Sequence, residues 1–342
     1  MAAIKDSTVT TALVIEHLTS RALADNPLGD PATRQLPVLF PPDYDKNDKR
    51  YPVIYGLTGF TGSGPMMLNV TAWQPNLQER VDYLITDGRL PPAIFVLPDC
   101  FTRYGGSQYI NSLAIGRYAD YVIDEIIPHI DSKYRTIAAP EGRGIFGKSS
   151  GGYGAIILGM RRPDVFGALA CHSGDMYFEY CYKPDFPKFI NAVLKAGGLE
   201  KWWAEFEGKV KKERQDIEAI NILAMAAAYS PNPGRKPLPI DFPFDLYTGE
   251  LRPDVWQRWL EHDPVYLVER YAANLKQLRL LFIDCGTRDE FNLHFGARIL
   301  VQRLKALGIR HEYEEFDDGH MDIPYRYDVS LPKIGRALRA AE

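Results

Sequence analysis

The stretch GRGIFGKSSGGYG (142–154) constrains the fold more than any other part of the chain, because it predicts a strand, a sharp turn and a helix in immediate succession. Two functional patterns overlap in it. From Gly142 to Ser149 it fits G-x-x-x-x-G-K-[ST], a loop that binds phosphates through its backbone. From Gly147 to Gly151 it fits G-x-S-x-G, in which a serine stands at the apex of the turn. The two patterns predict different chemistry.

The residues around the motif favour the serine turn. A phosphate-binding loop begins directly after a strand, but here the preceding residues read YRTIAAPE, and Ile145 and Phe146 are too bulky for a loop that wraps a phosphate. The run LLFID (280–284) resembles a strand and aspartate that would bind Mg²⁺, which is weak support for a P-loop nucleotide hydrolase. By contrast, GIFG (144–147) reads as the entering strand, and the N–H groups of the following helix favour negative charge near Ser149.

Short apolar runs alternate with amphipathic stretches along the rest of the chain. Such runs are typical of strands buried on both faces of a parallel sheet, and they predict strands at 36–40, 52–58, 93–98, 144–147, 167–172, 278–285 and 311–316. Helices are predicted over 115–130, 150–162, 294–308 and 329–341. This alternation predicts an α/β fold with a mostly parallel central sheet and helices on both faces.

Residues 175–262 interrupt the alternation, since they are rich in aromatic residues, proline and charge and contain no clear strand. We predict a lid-like insertion before the penultimate strand, helical in 186–228 and loop-like in 229–255. The chain as a whole, 1–342, is interpreted as one domain that contains this insertion.

The composition of the chain limits which classes of binding partner can be expected. The chain has 342 residues, 46% of them hydrophobic and 25% charged, with a net charge of −4. A weakly acidic globular protein of this kind offers no basic surface for nucleic acid or an anionic membrane. We therefore expect a small-molecule substrate as partner, and leave open whether the chain forms a homo-oligomer.

The cysteines and the N-terminus predict a cytoplasmic protein. Four cysteines without a C-x-x-C pattern predict reduced thiols and neither a zinc site nor another metal site. The N-terminal MAAIKDSTVTTALVIEHL lacks a basic start followed by a long apolar core, so neither a signal peptide nor a membrane span is predicted there.

A nucleophilic serine needs a base and an acid, which in this type of fold follow it in the order acid, then histidine. His320 follows the last predicted strand in the run HEYEEFDDGHMD and is the expected base. His172, at the end of the strand after the serine helix, is the alternative. Asp289 lies in the loop after the strand LRLLFIDC and is the expected acid, with Asp284 and Glu290 as alternatives.

The oxyanion that forms during attack needs two backbone donors. The expected donors are the N–H of Ser150 and the N–H of Phe60, in the loop after strand 52–58. Loops at the carboxyl ends of the strands should supply substrate contacts, and the candidates are Asp99, Tyr104, Met176, Tyr177 and Phe178. The aromatic run 175–182 either lines an apolar pocket or forms the core of the insertion.

Taken together, these segments resemble the esterase D family of α/β-hydrolases, which includes S-formylglutathione hydrolases, feruloyl esterase domains, enterochelin-esterase-type enzymes and the antigen 85 mycolyltransferases. The most specific block is IIPHIDSKYRTIAAPEGRGIFGKSSGGYGAIILGMRRPDVFGALACHSG. The chain departs from the family at the oxyanion loop, where Thr58-Gly59 stands in place of the frequent His-Gly.

The resemblance implies a serine ester hydrolase without a cofactor that works through an acyl-enzyme. By the same resemblance Ser149, Asp289 and His320 match the catalytic triad, and Phe60 and Ser150 match the oxyanion donors. No cluster of basic residues marks a site for a strongly anionic substrate, so we expect a small to medium neutral ester. The alternatives are acyl transfer on the same triad and, less favoured, a non-catalytic binding protein of the same fold.

Overall fold

The computed structural model describes residues 10–342, through which an eight-stranded sheet runs. In chain order the strands are β1 (Ala12–Thr19), β2 (Thr33–Phe40), β3 (Val53–Leu57), β4 (Ile94–Val96), β5 (Asn111–Ser112), β6 (Gly116–Arg117), β7 (Arg143–Lys148), β8 (Ala168–His172), β9 (Leu280–Gly286) and β10 (Glu312–Phe316). The sheet has the order β1-β2-β4-β3-β7-β8-β9-β10, whereas β5 and β6 form a separate hairpin.

Most of the sheet is parallel. The strands from β4 to β10 in the sheet order pair in parallel, and β1 and β2 join the β4 edge in antiparallel pairs. All seven predicted strands are present, which confirms the α/β prediction. Strand β1 was not predicted, and residues 1–9 of the N-terminal stretch lie outside the described residues. Within residues 10–342, no helix is long and apolar enough to cross a membrane.

The central strands bury both of their faces. In β3, Val53 and Tyr55 belong to the larger core cluster and Ile54 to the smaller one on the opposite face. This explains why the central strands read as continuous apolar runs rather than as alternating patterns. All four cysteines are buried with free thiols.

The helices cover both faces of the sheet, as predicted. The α-helices are Leu77–Thr86, Tyr118–Asp120, Ile127–Lys133, Ser150–Arg161, Phe178–Cys181, Phe186–Ala196, Leu199–Gly208, Arg214–Tyr229, Pro253–Leu260, Pro264–Leu267, Ala272–Leu275, Leu293–Ala306 and Tyr327–Ala337, with a π-helical stretch at Tyr121–Ile126. Short 3₁₀ helices lie at Tyr44–Lys46, Gly64–Leu68, Pro140–Gly142, Lys183–Asp185 and Pro324–Arg326.

The helix predicted over 115–130 begins later than expected, because β6 occupies Gly116–Arg117 and helical structure starts at Tyr118. The segment 186–228 is helical as predicted. In 229–255 the loop interpretation fits up to Arg252, after which the helix Pro253–Leu260 begins. That residues 175–262 act as a lid within one domain stays a prediction.

The two ends of the insertion are joined by one buried carboxylate. Asp263 is fully buried, and its oxygens accept hydrogen bonds from the backbone N–H groups of Tyr177 (3.0 Å), Phe178 (2.7 Å) and Val265 (2.9 Å). The residue therefore caps the helix Pro264–Leu267 and fixes the chain just after β8 at the same time.

We expect Asp263→Ala to lower the free energy of unfolding by about 2–4 kcal/mol, because three N–H groups lose their acceptor in a buried site. Urea unfolding followed by circular dichroism measures the change. Asp254→Ala, at an exposed aspartate in the helix Pro253–Leu260, is the control and should stay within about 0.5 kcal/mol of wild type. Equal effects for the two variants would contradict the role given to Asp263.

Candidate active site

Ser149 stands at the turn between β7 and the helix Ser150–Arg161, with φ 58° and ψ −127°. This left-handed conformation is costly for a residue with a side chain. The turn needs glycine on either side. A Cβ on Gly147 would collide with the backbone of Gly151, and a Cβ on Gly151 would collide with the carbonyl of Leu57. Ser149 is partly exposed, whereas both glycines are buried.

The same geometry argues against the phosphate-binding loop. Residues Arg143–Lys148, which would form the interior of that loop, are strand β7, paired in parallel with β3 and β8. Lys148 is the lysine of the pattern; burial lowers its pKa, although the charge of Asp289 opposes this effect. Among the described residues, no group of three or more His, Cys, Asp or Glu side chains could hold a metal ion.

His320 and Asp289 lie in the loops after β10 and β9, where the carboxyl ends of the strands bring them to Ser149. His320 Nε2 is 2.9 Å from Ser149 Oγ, and His320 Nδ1 is 2.7 Å from Asp289 Oδ2. An ionised carboxylate only accepts, so Nδ1 carries the proton and Nε2 is free to accept from the serine hydroxyl. The three side chains therefore form one hydrogen-bonded series from the loops of three strands.

The Asp289 carboxylate is held charged and in place. Burial acts to raise its pKa, but the hydrogen bond and charge of His320, together with backbone N–H groups, outweigh burial and lower the pKa. Asp289 Oδ1 accepts from the N–H of Phe291 (2.9 Å) and of Leu293 (3.3 Å). Glu290, one of the alternative acids, instead accepts from the backbone N–H of His320 at 2.6 Å.

The side chains of the other two alternatives, His172 and Asp284, pair with each other and not with Ser149. His172 Nδ1 is 2.7 Å from Asp284 Oδ1, and His172 Nε2 is 2.8 Å from Ser330 Oγ. All three residues are completely buried, with Ser330 on the C-terminal helix, and Arg326 Nε donates to Asp284 Oδ2 at 2.8 Å. Both ring nitrogens of His172 are engaged, so this second series joins the C-terminal helix to β8 and β9.

Phe60 and Ser150 both line one small cavity beside Ser149. The loop that carries Phe60 passes directly over the serine, since a Cβ on Gly59 would be 3.3 Å from the Cβ of Ser149. Within the described residues, the backbone N–H groups of Phe60 and Ser150 have no hydrogen-bond acceptor. Both are therefore available to a group bound at Ser149.

The five candidate substrate contacts occupy other places, and none of them lines this cavity. Phe178 is fully buried and stacks on Tyr229 at 5.0 Å between ring centroids, inside an aromatic cluster of the insertion. Met176 is buried against the start of the helix Leu293–Ala306. Their burial favours the second interpretation of the run 175–182, in which it forms the core of the insertion.

The remaining candidate substrate contacts are Tyr104, Asp99 and Tyr177. Tyr104 is buried with its ring edge-on to Trp203 at 5.1 Å, and Asp99 Oδ1 accepts from the N–H of Phe101 at 3.1 Å. Tyr177 is only partly buried, so of the five it is the aromatic residue with the most freedom to meet a ligand. Its role in substrate binding stays a prediction.

Two polar residues near the site lie in loops that the sequence predicts at the carboxyl ends of the strands, but they were not among the named candidates. Gln108 lines the cavity beside Ser150, and Asp175 accepts a hydrogen bond from Ser150 Oγ at 3.1 Å. The glycine pair in YGGSQY signals a close approach of the backbone and could have drawn attention to Gln108. Nothing in the sequence alone indicates the contact of Asp175.

A serine at a strand–helix turn, with an acid and a histidine after the last two strands of a mostly parallel sheet, defines an α/β-hydrolase. The chain belongs to the family described as "Putative esterase", whose model matches residues 31–337.

Curated relatives agree with this family. The chain is 26% identical over 313 residues to Esterase Rv1288 of Mycobacterium tuberculosis, a match that covers 89% of this chain and 56% of that protein. It is 31% identical over 186 residues to an endo-1,4-beta-xylanase/feruloyl esterase of Xylanibacter ruminicola, which covers 48% of this chain and 25% of that protein. The chain thus matches between a quarter and about half the length of these relatives.

Solved structures share the fold. A ferulic acid esterase superposes with a TM-score of 0.62 at 21% identity, over 96% of this chain and all of that one. An S-formylglutathione hydrolase from Agrobacterium tumefaciens gives a TM-score of 0.60 at 15% identity, over 96% of each chain. At these identities the likeness concerns the fold alone.

Proposed function

We propose that the protein hydrolyses carboxylic esters through an acyl-enzyme on Ser149, with His320 as general base and Asp289 as the residue that orients it. The observation that carries the proposal is the hydrogen-bonded series Ser149–His320–Asp289 beside two unoccupied backbone donors. The family supports the reaction class.

The first half of the reaction forms the acyl-enzyme. His320 Nε2 takes the proton of the Ser149 hydroxyl as its oxygen attacks the ester carbonyl, and the carbonyl oxygen becomes an oxyanion. The N–H groups of Phe60 and Ser150 donate to that oxygen, each contributing about 3–4 kcal/mol to the transition state. The bond to the leaving alcohol then breaks, and the alcohol oxygen takes the proton from His320.

The second half releases the acid. Water enters beside His320, which takes one proton while the water oxygen attacks the acyl carbon, and the bond to Ser149 Oγ breaks as the serine regains a proton. Asp289 stays ionised throughout, because its lowered pKa keeps it charged at neutral pH, and it stabilises the imidazolium.

For the substrate we propose a small to medium neutral ester with an aromatic acyl or alcohol part. Tyr177, a partly exposed aromatic residue in the segment after β8, supports this class. One curated relative is named a feruloyl esterase, which agrees with an aromatic acyl group. Acyl transfer to an alcohol is the second candidate, because it uses the same acyl-enzyme.

A panel of esters tests the substrate class. We expect kcat/KM for feruloyl esters to exceed that for acetyl, butyryl and octanoyl esters of the same alcohol by about 10-fold or more, since filling an apolar pocket is worth about 1–3 kcal/mol. S-formylglutathione is measured alongside. A preference for S-formylglutathione or for the octanoyl ester would contradict the aromatic substrate and leave the acyl-enzyme untouched.

Added methanol in the same assays tests the intermediate. Two feruloyl esters with different leaving alcohols should give the same ratio of ferulic acid to methyl ferulate, because both pass through one acyl-enzyme. A ratio that changes with the leaving alcohol would contradict the acyl-enzyme. A product mixture dominated by methyl ferulate at low methanol would favour the acyltransferase.

A further inference from the structure

The two proposed oxyanion donors come from different parts of the chain, so something must keep them at a fixed distance. Phe60 lies in the loop after β3 and Ser150 at the start of the helix after β7. Preorganised donors stabilise an oxyanion only when their positions do not have to adjust during the reaction. One short segment, residues 105–109 (GGSQY), contacts both parts.

On one side the segment 105–109 hydrogen-bonds to and packs against the loop that carries Phe60. Thr61 N donates to the carbonyl of Gly105 at 2.8 Å, and the hydroxyl of Tyr109 donates to the carbonyl of Thr58 at 2.7 Å. The ring of Phe60 lies on the two glycines of the segment, where a Cβ on Gly105 would be 2.8 Å from the ring. The loop is therefore fastened before, at and after Phe60.

On the other side the segment reaches Ser150 through two buried side chains. Gln108 Nε2 donates to Asp175 Oδ2 at 3.0 Å, and the same oxygen accepts from Ser150 Oγ at 3.1 Å. Gln108 is 1% exposed and Asp175 7%. Because a carboxylate only accepts, Asp175 also fixes which way the amide of Gln108 points.

The backbone of the segment is strained where these contacts are made. Gln108 and Tyr109 both have left-handed φ values, 53° and 55°. Consecutive non-glycine residues in this region persist only where the surroundings determine them strongly, and such strain clusters at functional sites. Gln108 Nε2 also lies within hydrogen-bond distance of the hydroxyls of Tyr229 (2.9 Å) and Tyr182 (3.1 Å), so the same amide contacts the aromatic cluster of the insertion.

We propose, on the basis of the function proposed above, that Gln108 is a positioning residue for the oxyanion site. Its side chain acts on Ser150 through Asp175, and its backbone segment acts on Phe60. Together they hold the two N–H groups in one arrangement before the substrate binds.

Gln108→Met tests this role, since methionine has a similar length and lacks the amide donor. We expect kcat to fall about 10- to 100-fold with KM within about 3-fold, because misplaced donors weaken only the transition state. The inhibition constant of a trifluoromethyl ketone, which forms an oxyanion on the serine, should rise in parallel with the fall in kcat.

Titration of the nucleophile with a fluorophosphonate separates positioning from folding. If Gln108 only stabilises the fold, the variant loses labelled enzyme while kcat per labelled serine stays at the wild-type value. Ser112→Ala is the matched control: its hydroxyl is buried nearby and donates to the carbonyl of Ala227 at 2.5 Å, outside the oxyanion loops. It should cost stability and leave kcat per labelled serine unchanged.

A second variant covers the case in which Gln108→Met does not fold. Ser150→Ala breaks the same link from its other end while keeping the backbone N–H, and should lower kcat about 3- to 10-fold with KM unchanged. Wild-type kcat per labelled serine in every variant that folds would overturn the positioning role alone. Wild-type activity in Ser149→Ala would instead overturn the proposed function, so the two failures are distinguishable.

Discussion

Ser149→Ala is expected to lower kcat for a p-nitrophenyl ester by at least about 10³-fold while leaving the fold intact. In the proposed reaction the hydroxyl oxygen is the atom that attacks, and without it only the oxyanion donors and binding remain. Ser149 is partly exposed at the turn, so the loss of its Oγ opens no cavity in the core. Steady-state release of p-nitrophenol measures kcat, and thermal unfolding shows whether the variant is folded.

Ser330→Ala is the matched control for that experiment. Ser330 Oγ also makes a hydrogen bond to a histidine Nε2, that of His172, at 2.8 Å, but it is completely buried. Its removal should lower stability by about 1–3 kcal/mol and leave the rate within about 3-fold of wild type. If Ser149→Ala kept most of the activity, the nucleophile would have to be another residue.

The second prediction with a large effect concerns two aspartates, Asp284 in β9 and Asp289 in the loop that follows it. Asp289→Asn should lower kcat about 10⁴-fold, because the amide can no longer hold His320 with its proton on Nδ1. Asp284→Ala should instead lower the free energy of unfolding by about 3–5 kcal/mol, since it leaves the buried ring of His172 without its carboxylate partner and removes one of the two carboxylates that pair with Arg326.

Both readouts are needed for each of these variants. Activity per labelled serine measures the effect of each variant on catalysis, and urea unfolding measures its effect on stability. We expect Asp289→Asn to stay close to wild type in stability and Asp284→Ala to keep its activity per folded molecule. The reverse assignment, with chemistry lost in Asp284→Ala, would contradict the hydrogen bonds described for His320.

The parts of the site that sequence could predict are those defined by local pattern and chain order. Glycines flank Ser149 because no side chain fits the turn, and this requirement is visible in the sequence itself. His320 and Asp289 follow predicted strands, and parallel strands deliver their following loops to one edge of the sheet. These residues therefore lie together in the structure as expected.

The parts that sequence could not predict depend on side-chain direction and on contacts between distant residues. The sequence of the run 175–182 does not say which way Phe178 points, and the structure turns it into the aromatic cluster. The bond between Gln108 and Asp175 joins residues 67 positions apart. The helix Leu77–Thr86 is a different case, because the capping box formed by Asn76 and Glu79 was a readable signal that sequence reasoning left unused.

A geometric template built from a serine, a histidine and an aspartate would match this protein twice. The second match, Ser330–His172–Asp284, has the same atom types in the same order of contacts, yet neither water nor substrate reaches it. The two sets of three side chains differ in their access to solvent and not in their arrangement. Only a set that a substrate can reach is able to react, whereas the buried set can only stabilise the fold. Automated recognition of hydrolase sites by atom pattern therefore needs a measure of exposure at the hydroxyl oxygen before it assigns chemistry.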